Sequence, residues 1–247
     1  MNILVFIYGL LLASFYNVVG LRIPLKKSII KPRSACPYCG HQLSAKELMP
    51  VLSFVIQRGK CVSCSGRISL LYPIMELITG TFFVLAYQVF GLQLELIVAL
   101  TLISLFSIIT VSDIKYMIIP DKVLLFFAAL FIVERLFVPL SPWWGSLTGA
   151  ALGFTLLLFI AIISRGGMGG GDIKLFALIG FVLGVKGLLL SFFLATLLGA
   201  VVGILGMLLG KFKKGEAIAF GPYICLGTIL AYFFGEKIIQ WYFSLYI

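Results

Sequence analysis

The sequence predicts an all-α polytopic membrane protein. It has about eight transmembrane helices and a small cytoplasmic zinc-binding loop domain between the first and the second. Three observations lead there. The 247 residues are 62% hydrophobic and only 11% charged, with a mean hydropathy of +1.16; a soluble domain carries about a quarter charged residues. Apolar runs recur at close to the length of about 20 residues that a spanning helix needs. The basic residues, which give a net charge of +10, collect in alternate connections, as the positive-inside rule requires.

The runs fall at 3–21, 73–90, 94–111, 122–138, 143–163, 173–187, 188–210 and 218–235. No basic residue precedes the first run and no small-residue cleavage site follows it, so it reads as a retained span rather than a removed signal peptide. The division of 173–210 into two spans rests on a turn at Gly184-Val-Lys186-Gly187. Gly149-Ala-Ala-Leu-Gly153, Gly199-Ala-Val-Val-Gly203 and Gly206-Met-Leu-Leu-Gly210 each place two glycines one turn apart. Such faces let helices pack closely in lipid.

Between Gly20 and Tyr72 stand nine basic residues, Arg22, Lys26, Lys27, Lys31, Arg33, Lys46, Arg58, Lys60 and Arg67, against one acid, Glu47. This loop is therefore expected in the cytoplasm and the N-terminus outside. Lys115, Lys122, Arg165, Lys174, Lys211, Lys213 and Lys214 fall on the same side; Arg135, Lys186 and Lys237 fall opposite. That asymmetry accounts for the net charge without a polyanionic partner. The basic loop holds only Tyr38 and Phe54 as aromatics between Arg22 and Arg67. A single-strand nucleic-acid platform needs more stacking surface, so no nucleic acid is expected.

The same loop holds two C-x-x-C pairs, Cys36/Cys39 and Cys61/Cys64. Each pair makes a tight turn that aims two sulfurs at one metal, and four thiolates suit structural Zn2+. The loop is too small for a good core, so the metal would supply folding energy. Two disulfides are the alternative, disfavoured in a reducing cytosol. His41 follows the first pair and, beside four thiolates, is expected as an outer neighbour rather than a ligand. Cys225 stands alone in an apolar run and reads as a small buried hydrophobe.

Two acids stand at membrane edges. Asp113 lies in Val111-Ser-Asp113-Ile-Lys-Tyr-Met-Ile-Ile-Pro120-Asp121. Asp172 ends the glycine-rich stretch Arg165-Gly-Gly-Met-Gly169-Gly-Gly171-Asp172-Ile-Lys174. The expected topology brings both to the same depth on the same side. Ionisable groups at membrane depth are costly and functional by default. Two adjacent carboxylates share a proton, and one can activate water while the other donates to a carbonyl. The plainer alternatives are that each acid caps its own helix or pairs with Lys115 or Lys174. An ion-coupled transporter is a remote alternative. It predicts acids nearer mid-bilayer and broken helices in matching repeats, and no repeat is visible.

These motifs together resemble the bacterial prepilin peptidases, the type IV leader peptidases of the G-x-G-D membrane aspartyl protease class. The resemblance runs through nearly the whole chain. It includes Ala13-Ser-Phe15-Tyr-Asn17, Arg22-Ile-Pro24, the paired cysteines, Leu52-Ser-Phe54, Arg58-Gly-Lys60-Cys61, Tyr72-Pro73, Glu76 and Ala219-Phe220-Gly221-Pro222. In length and wording the chain is most similar to competence-associated members from Gram-positive bacteria. The resemblance implies a plasma-membrane enzyme that removes the basic leader from prepilins or pilin-like precursors. The cut falls after a Gly and before an apolar helix. The enzyme then N-methylates the new terminus with S-adenosylmethionine; a peptidase without methyl transfer is the alternative. It implies Asp113 and Asp172 as the catalytic dyad, with Gly169 and Gly171 in the catalytic loop. Cys36, Cys39, Cys61 and Cys64 are implied as zinc ligands of a domain linked to methylation, and Glu76 is a candidate for the methyl-donor site. The implied division is 1–22 as first span, 23–72 as zinc domain and 73–247 as a seven-helix peptidase domain. The chain departs from the family wording at Glu47-Leu-Met-Pro50 and at Leu71. Oligomeric state is not legible in the sequence.

Overall fold

The computed structural model describes residues 1–164, 167–210 and 218–244. Arg165 and Gly166 of the glycine-rich stretch, and Lys211, Lys213 and Lys214, lie outside the described residues. Within them are eight helices: α1 (Asn2–Arg22), α2 (Leu52–Ile56), α3 (Leu71–Phe90), α4 (Leu94–Tyr116), α5 (Asp121–Phe137), α6 (Gly145–Ile163), α7 (Gly170–Leu208) and α8 (Gly221–Ser244). The β structure described is limited to two isolated bridges.

The eight expected runs all fall on these helices. Six helices, α1, α3, α4, α6, α7 and α8, are long and apolar enough to cross a membrane. α5, at 17 residues, is shorter. α7, at 39 residues, would extend about 58 Å at 1.5 Å per residue, against a hydrocarbon core of about 30 Å. It is broken inside, at Gly184, with φ 70° and ψ −176°. That conformation is open essentially to glycine alone. The predicted four-residue turn is thus one residue. The break is held from outside: Arg135, buried near the end of α5, donates through Nη2 to the Val182 carbonyl at 2.6 Å and through Nη1 to the Val138 carbonyl at 3.1 Å.

The chain divides into two compact units, Met1–Ser112 and Asp113–Ile247. In the first, α1 packs along α3. A Cβ on Gly9 would stand 2.8 Å from the Gly80 Cα, and one on Gly20 2.8 Å from the Ile108 carbonyl oxygen. Polar side chains bind these helices to α4: the Tyr16 hydroxyl donates to Ser104 Oγ at 2.8 Å, and the Thr79 and Ser107 hydroxyls meet at 2.8 Å. Hydroxyl pairs of this kind serve between helices where water is excluded.

In the second unit, α6 and α8 each pack on α7. The α6–α7 seam is the tightest. A Cβ on Gly149 would collide with the Gly180 carbonyl, one on Gly180 with the Gly149 carbonyl, and one on Gly153 with the Phe176 carbonyl. The first of the three predicted small-residue patterns is therefore a helix seam. The second meets side chains rather than backbone: a Cβ on Gly199 would stand 3.1 Å from the Phe220 ring and 3.7 Å from the Tyr223 ring of α8, and one on Gly203, among the described residues, 3.8 Å from the Ile218 side chain. In the third, Gly206 is buried. Gly210 takes φ +68° just beyond α7, a left-handed helix ending. On the other side of α7, a Cβ on Gly227 would come within 2.6 Å of the Ala195 N.

Candidate active site and metal centre

In the first unit, each C-x-x-C turn is closed by backbone. Gly40 N–H donates to the Cys36 carbonyl at 3.0 Å, and Ser65 N–H to the Cys61 carbonyl at 2.9 Å. Bridges Ala35–Gln42 and Lys60–Arg67 flank the two turns. Gly40 sits at φ +72°; in the second turn the corresponding left-handed residue is Ser65, at φ +58°, not the glycine after it. Gly66 is small for a different reason: a Cβ there would reach within 2.6 Å of the Tyr38 ring, so the two turns pack face to face.

This brings Cys36, Cys39, Cys61 and Cys64 together, with all four sulfurs within 4.8 Å of one another. Cys36 and Cys64 Sγ are 3.8 Å apart, and Cys39 and Cys61 Sγ 4.0 Å. All four are free thiols. A disulfide needs about 2.05 Å, whereas four sulfurs about 2.3 Å from a tetrahedral Zn2+ stand about 3.8 Å apart. The geometry fits a metal. The protonation pattern fits as well. N–H groups of Cys39 and Tyr38 bring the Cys36 thiol down to about 6. At Cys64 the Gly66 N–H acts in the same direction, but Cys39, burial, Cys36 and Cys61 together push that thiol up to about 12. Four thiolates cannot share this space without a cation, and a bound cation deprotonates its thiols outright. The cluster could hold a metal ion.

His41 is engaged by Glu47, whose carboxylate oxygens lie 3.2 and 3.3 Å from its Nε2. The Ser44 N–H and hydroxyl also donate to Glu47, at 2.9 and 2.7 Å. Ser44 and then His41 hold the Glu47 carboxyl below the usual carboxylate range. Glu47 thus ties the first cysteine turn to the segment that begins at Ser44.

Glu76 is buried in the second turn of α3. Its Oε2 accepts the Val51 N–H at 2.8 Å, and it also accepts a hydrogen bond from the Ser14 side chain. Val51, at φ 58°, leads into α2. Glu76 therefore anchors the loop beyond the first cysteine turn to a membrane helix.

Both expected catalytic acids belong to the second unit. Asp113 is buried, 6% exposed, in the last turn of α4. The helix runs past the predicted end at residue 111 to Tyr116, and Met117 N–H closes it onto the Asp113 carbonyl at 2.8 Å. Asp113 Oδ2 accepts the Gly221 N–H at 2.7 Å. Asp172 opens α7, half-buried, its Oδ2 accepting the Gly169 N–H at 3.2 Å. The helix-cap reading of Asp172 is thus correct, and it coexists with the second reading: Asp113 and Asp172 are close enough for their charges to interact. Each acid has one oxygen held by a backbone N–H. Lys174 turns away to Asp121, meeting both carboxylate oxygens at 2.8 Å on the exposed surface.

The glycines act through space rather than through unusual torsions. Gly169 has φ −71° and ψ 143°, ordinary extended backbone. A Cβ on Gly171 would sit 2.7 Å from the Ile119 Cβ, so the head of α7 lies directly on the segment between α4 and α5. That contact fixes the start of α7 beside the end of α4. Gly221 has no role that residue type and spacing assign. Its signals in the sequence are its place in the Ala219-Phe220-Gly221-Pro222 motif and a Gly-Pro pair at the head of an apolar run, and neither points to Asp113.

Residues 7–90 match a family model described as bacterial peptidase A24 N-terminal domain, and residues 100–204 one described as type IV leader peptidase family. A protein of Bacillus subtilis (strain 168) called prepilin leader peptidase/N-methyltransferase is 50% identical over 242 residues, 98% of each chain. The chain belongs to the type IV leader peptidase family. Relatives with the same name from Aeromonas salmonicida (strain A449) and Legionella pneumophila are 31% and 28% identical. They are matched over 98% of this chain and 93% and 94% of their own lengths. No solved structure matches. As a family member the chain is a multi-pass membrane aspartic protease, and both halves of its length carry the likeness.

Proposed function

We propose that this enzyme cleaves the basic leader from type IV prepilins or pilin-like precursors and then N-methylates the new N-terminal residue. The observation that carries the cleavage reading is the pairing of Asp113 and Asp172, each with one oxygen held by a backbone N–H and each at the end of an apolar helix. Two carboxylates whose charges interact can share one proton. The ionised one takes a proton from water as the water oxygen attacks the scissile carbonyl carbon. Its partner gives a proton to the carbonyl oxygen. Collapse of the tetrahedral species breaks the C–N bond, the amine leaves with a proton, and the pair returns to its starting state. Gly169, the N-cap of α7, and Gly171, in its first turn rather than in a loop, shape the helix start that presents Asp172.

The basic connections put this face, and the cysteine loop, in the cytoplasm with the N-terminus outside. A substrate whose basic leader stays in the cytosol while its apolar helix lies in the bilayer would meet the dyad at that boundary. Residues 1–22 form the first span, 23–72 the zinc domain linked to methylation and 73–247 the peptidase domain. Zn2+ on Cys36, Cys39, Cys61 and Cys64 would supply folding energy to the loop. S-adenosylmethionine, as methyl donor, supplies an electrophilic methyl group for the freed amine. Glu76 serves that half by holding Val51 in place.

The test is the mass of a prepilin-like substrate after incubation with enzyme and S-adenosylmethionine in lipid. Wild type is expected to remove a leader-sized mass and add one methyl group. Asp113→Asn and Asp172→Asn are expected to fold and to lose cleavage by about 10²–10⁴-fold. A folded single mutant cleaving at the wild-type rate would rule out the dyad.

A further inference from the structure

The head of α8 lies against Asp113, and its hydrogen bonds can be followed one by one. A helix start has N–H groups with no partner in the preceding turn. In α8, Pro222 has no N–H to offer. Tyr223 and Ile224 N–H donate to the Phe220 carbonyl, at 3.0 and 3.1 Å. The remaining donor in this turn is Gly221 N–H, and it goes to Asp113 Oδ2 at 2.7 Å, buried, across 108 residues of sequence. The acid caps α8, and α8 in turn fixes one oxygen of the acid. This bond is 0.5 Å shorter than the 3.2 Å bond that Gly169 gives Asp172.

Space repeats what the hydrogen bond says. A Cβ on residue 221 would stand 2.7 Å from Asp113 Oδ2, 3.0 Å from its Cγ and 3.1 Å from its Cβ. These are the three nearest atoms, and all belong to Asp113. The φ of Gly221 is not in the left-handed range, so the backbone would accept a side chain. What demands glycine there is the carboxylate. Pro222 sharpens the arrangement, because it removes the neighbouring donor that could compete for the same oxygen.

We infer that Gly221 is a positioning residue for cleavage: its N–H holds Asp113 Oδ2, and its missing side chain leaves room for the Asp113 carboxylate to lie against the head of α8. The inference rests on the dyad reading above. It goes beyond it by making α8 a working part of the peptidase site. Displacement of a reacting group by about 1 Å can cost about 100-fold in rate, and a Cβ at 2.7 Å from the oxygen forces a shift toward that size.

The test compares wild type, Gly221→Ala, Asp113→Asn and Asp172→Asn as full-length proteins in lipid. Each is scored for kcat and KM of cleavage of a synthetic prepilin-like peptide, and for methylation of the same peptide supplied already cleaved. Gly221→Ala is expected to lower kcat about 100-fold with KM and methylation near wild type. Cleavage by either folded Asp variant at the wild-type rate would sink the dyad reading itself. Dead Asp variants beside a Gly221→Ala enzyme that cleaves within about threefold of wild type would overturn only the role of Gly221. Equal loss of cleavage and methylation, or a loss confined to KM, would also overturn it. If Gly221→Ala fails to fold, the double variant Asp113→Ala/Gly221→Ala decides. The inference expects it to fold, since the two nearest colliding atoms are gone; failure of the double variant as well would overturn the inference.

Discussion

Ser65 holds a left-handed backbone, φ +58°, where the equivalent position of the first cysteine turn is Gly40 at φ +72°. That conformation costs an L-residue with a Cβ about 1–2 kcal/mol, whereas glycine loses more conformational freedom on folding. The first term is the larger. Ser65→Gly is therefore expected to stabilise the metal-loaded loop by up to about 1 kcal/mol. It should also slow metal loss to a chelator, measured as the release rate of Zn2+ at neutral pH. Gly66→Ala is expected to do the opposite, because its Cβ would enter the Tyr38 ring, 2.6 Å away. Identical release rates for both variants would mean that backbone strain and turn-to-turn packing do not govern the site. The residue scale also shows the limit of motif reading. Gly40 directly follows its cysteine pair and Gly66 follows one residue later; the first supplies a torsion and the second supplies space.

Among the elements, the glycine seams separate by what faces them. Gly180 on α7 meets the backbone of Gly149 on α6, and neither backbone can yield without moving a helix. Gly199 faces the rings of Phe220 and Tyr223, side chains that can tilt. Gly180→Ala is expected to destabilise the protein in detergent by about 1–3 kcal/mol, and Gly199→Ala by well under about 1 kcal/mol, read from thermal unfolding. Comparable midpoints would show that the α6–α7 seam is loose. Helix placement was legible because a span must be apolar throughout its length: the eight predicted runs lie on seven helices, two of them on α7, while the short α2 carries no apolar run of that length. The glycine pattern at residues 149 and 153 was legible too, but its partner Gly180 was not, since nothing local marks which face of α7 a neighbour will choose. Of the site, Asp113, Asp172 and the four cysteines could be named from residue type and spacing. The hold of Gly221 on Asp113 could not, because it joins residues 108 positions apart. The role of Arg135 was equally hidden: it reads as a loop marker, and it closes the break at Gly184.

For the molecule as a whole, the two proposed chemistries draw on different parts of the chain. All four thiols lie within residues 36–64 of the first compact unit, and both acids lie in the second. No residue is shared between the metal cluster and the dyad. A structural metal contributes its binding energy to the segment that its ligands close, here the loop between α1 and α3. Removing it should therefore unfold that loop and leave the Asp113–Gly221 and Asp172–Gly169 bonds in place. A chelator at neutral pH is expected to abolish methylation of the substrate while cleavage persists within about threefold. Cys36→Ser and Cys61→Ser are expected to do the same without chelator. Mass spectrometry of one substrate reads both outcomes in a single sample, as a leader-sized loss without the added methyl group. Restoring Zn2+ should restore the methyl group in the chelated wild type and not in the variants, which separates loss of metal from damage to the chain. Equal loss of both activities would mean that the loop serves the peptidase directly, and that the two compact units act as one.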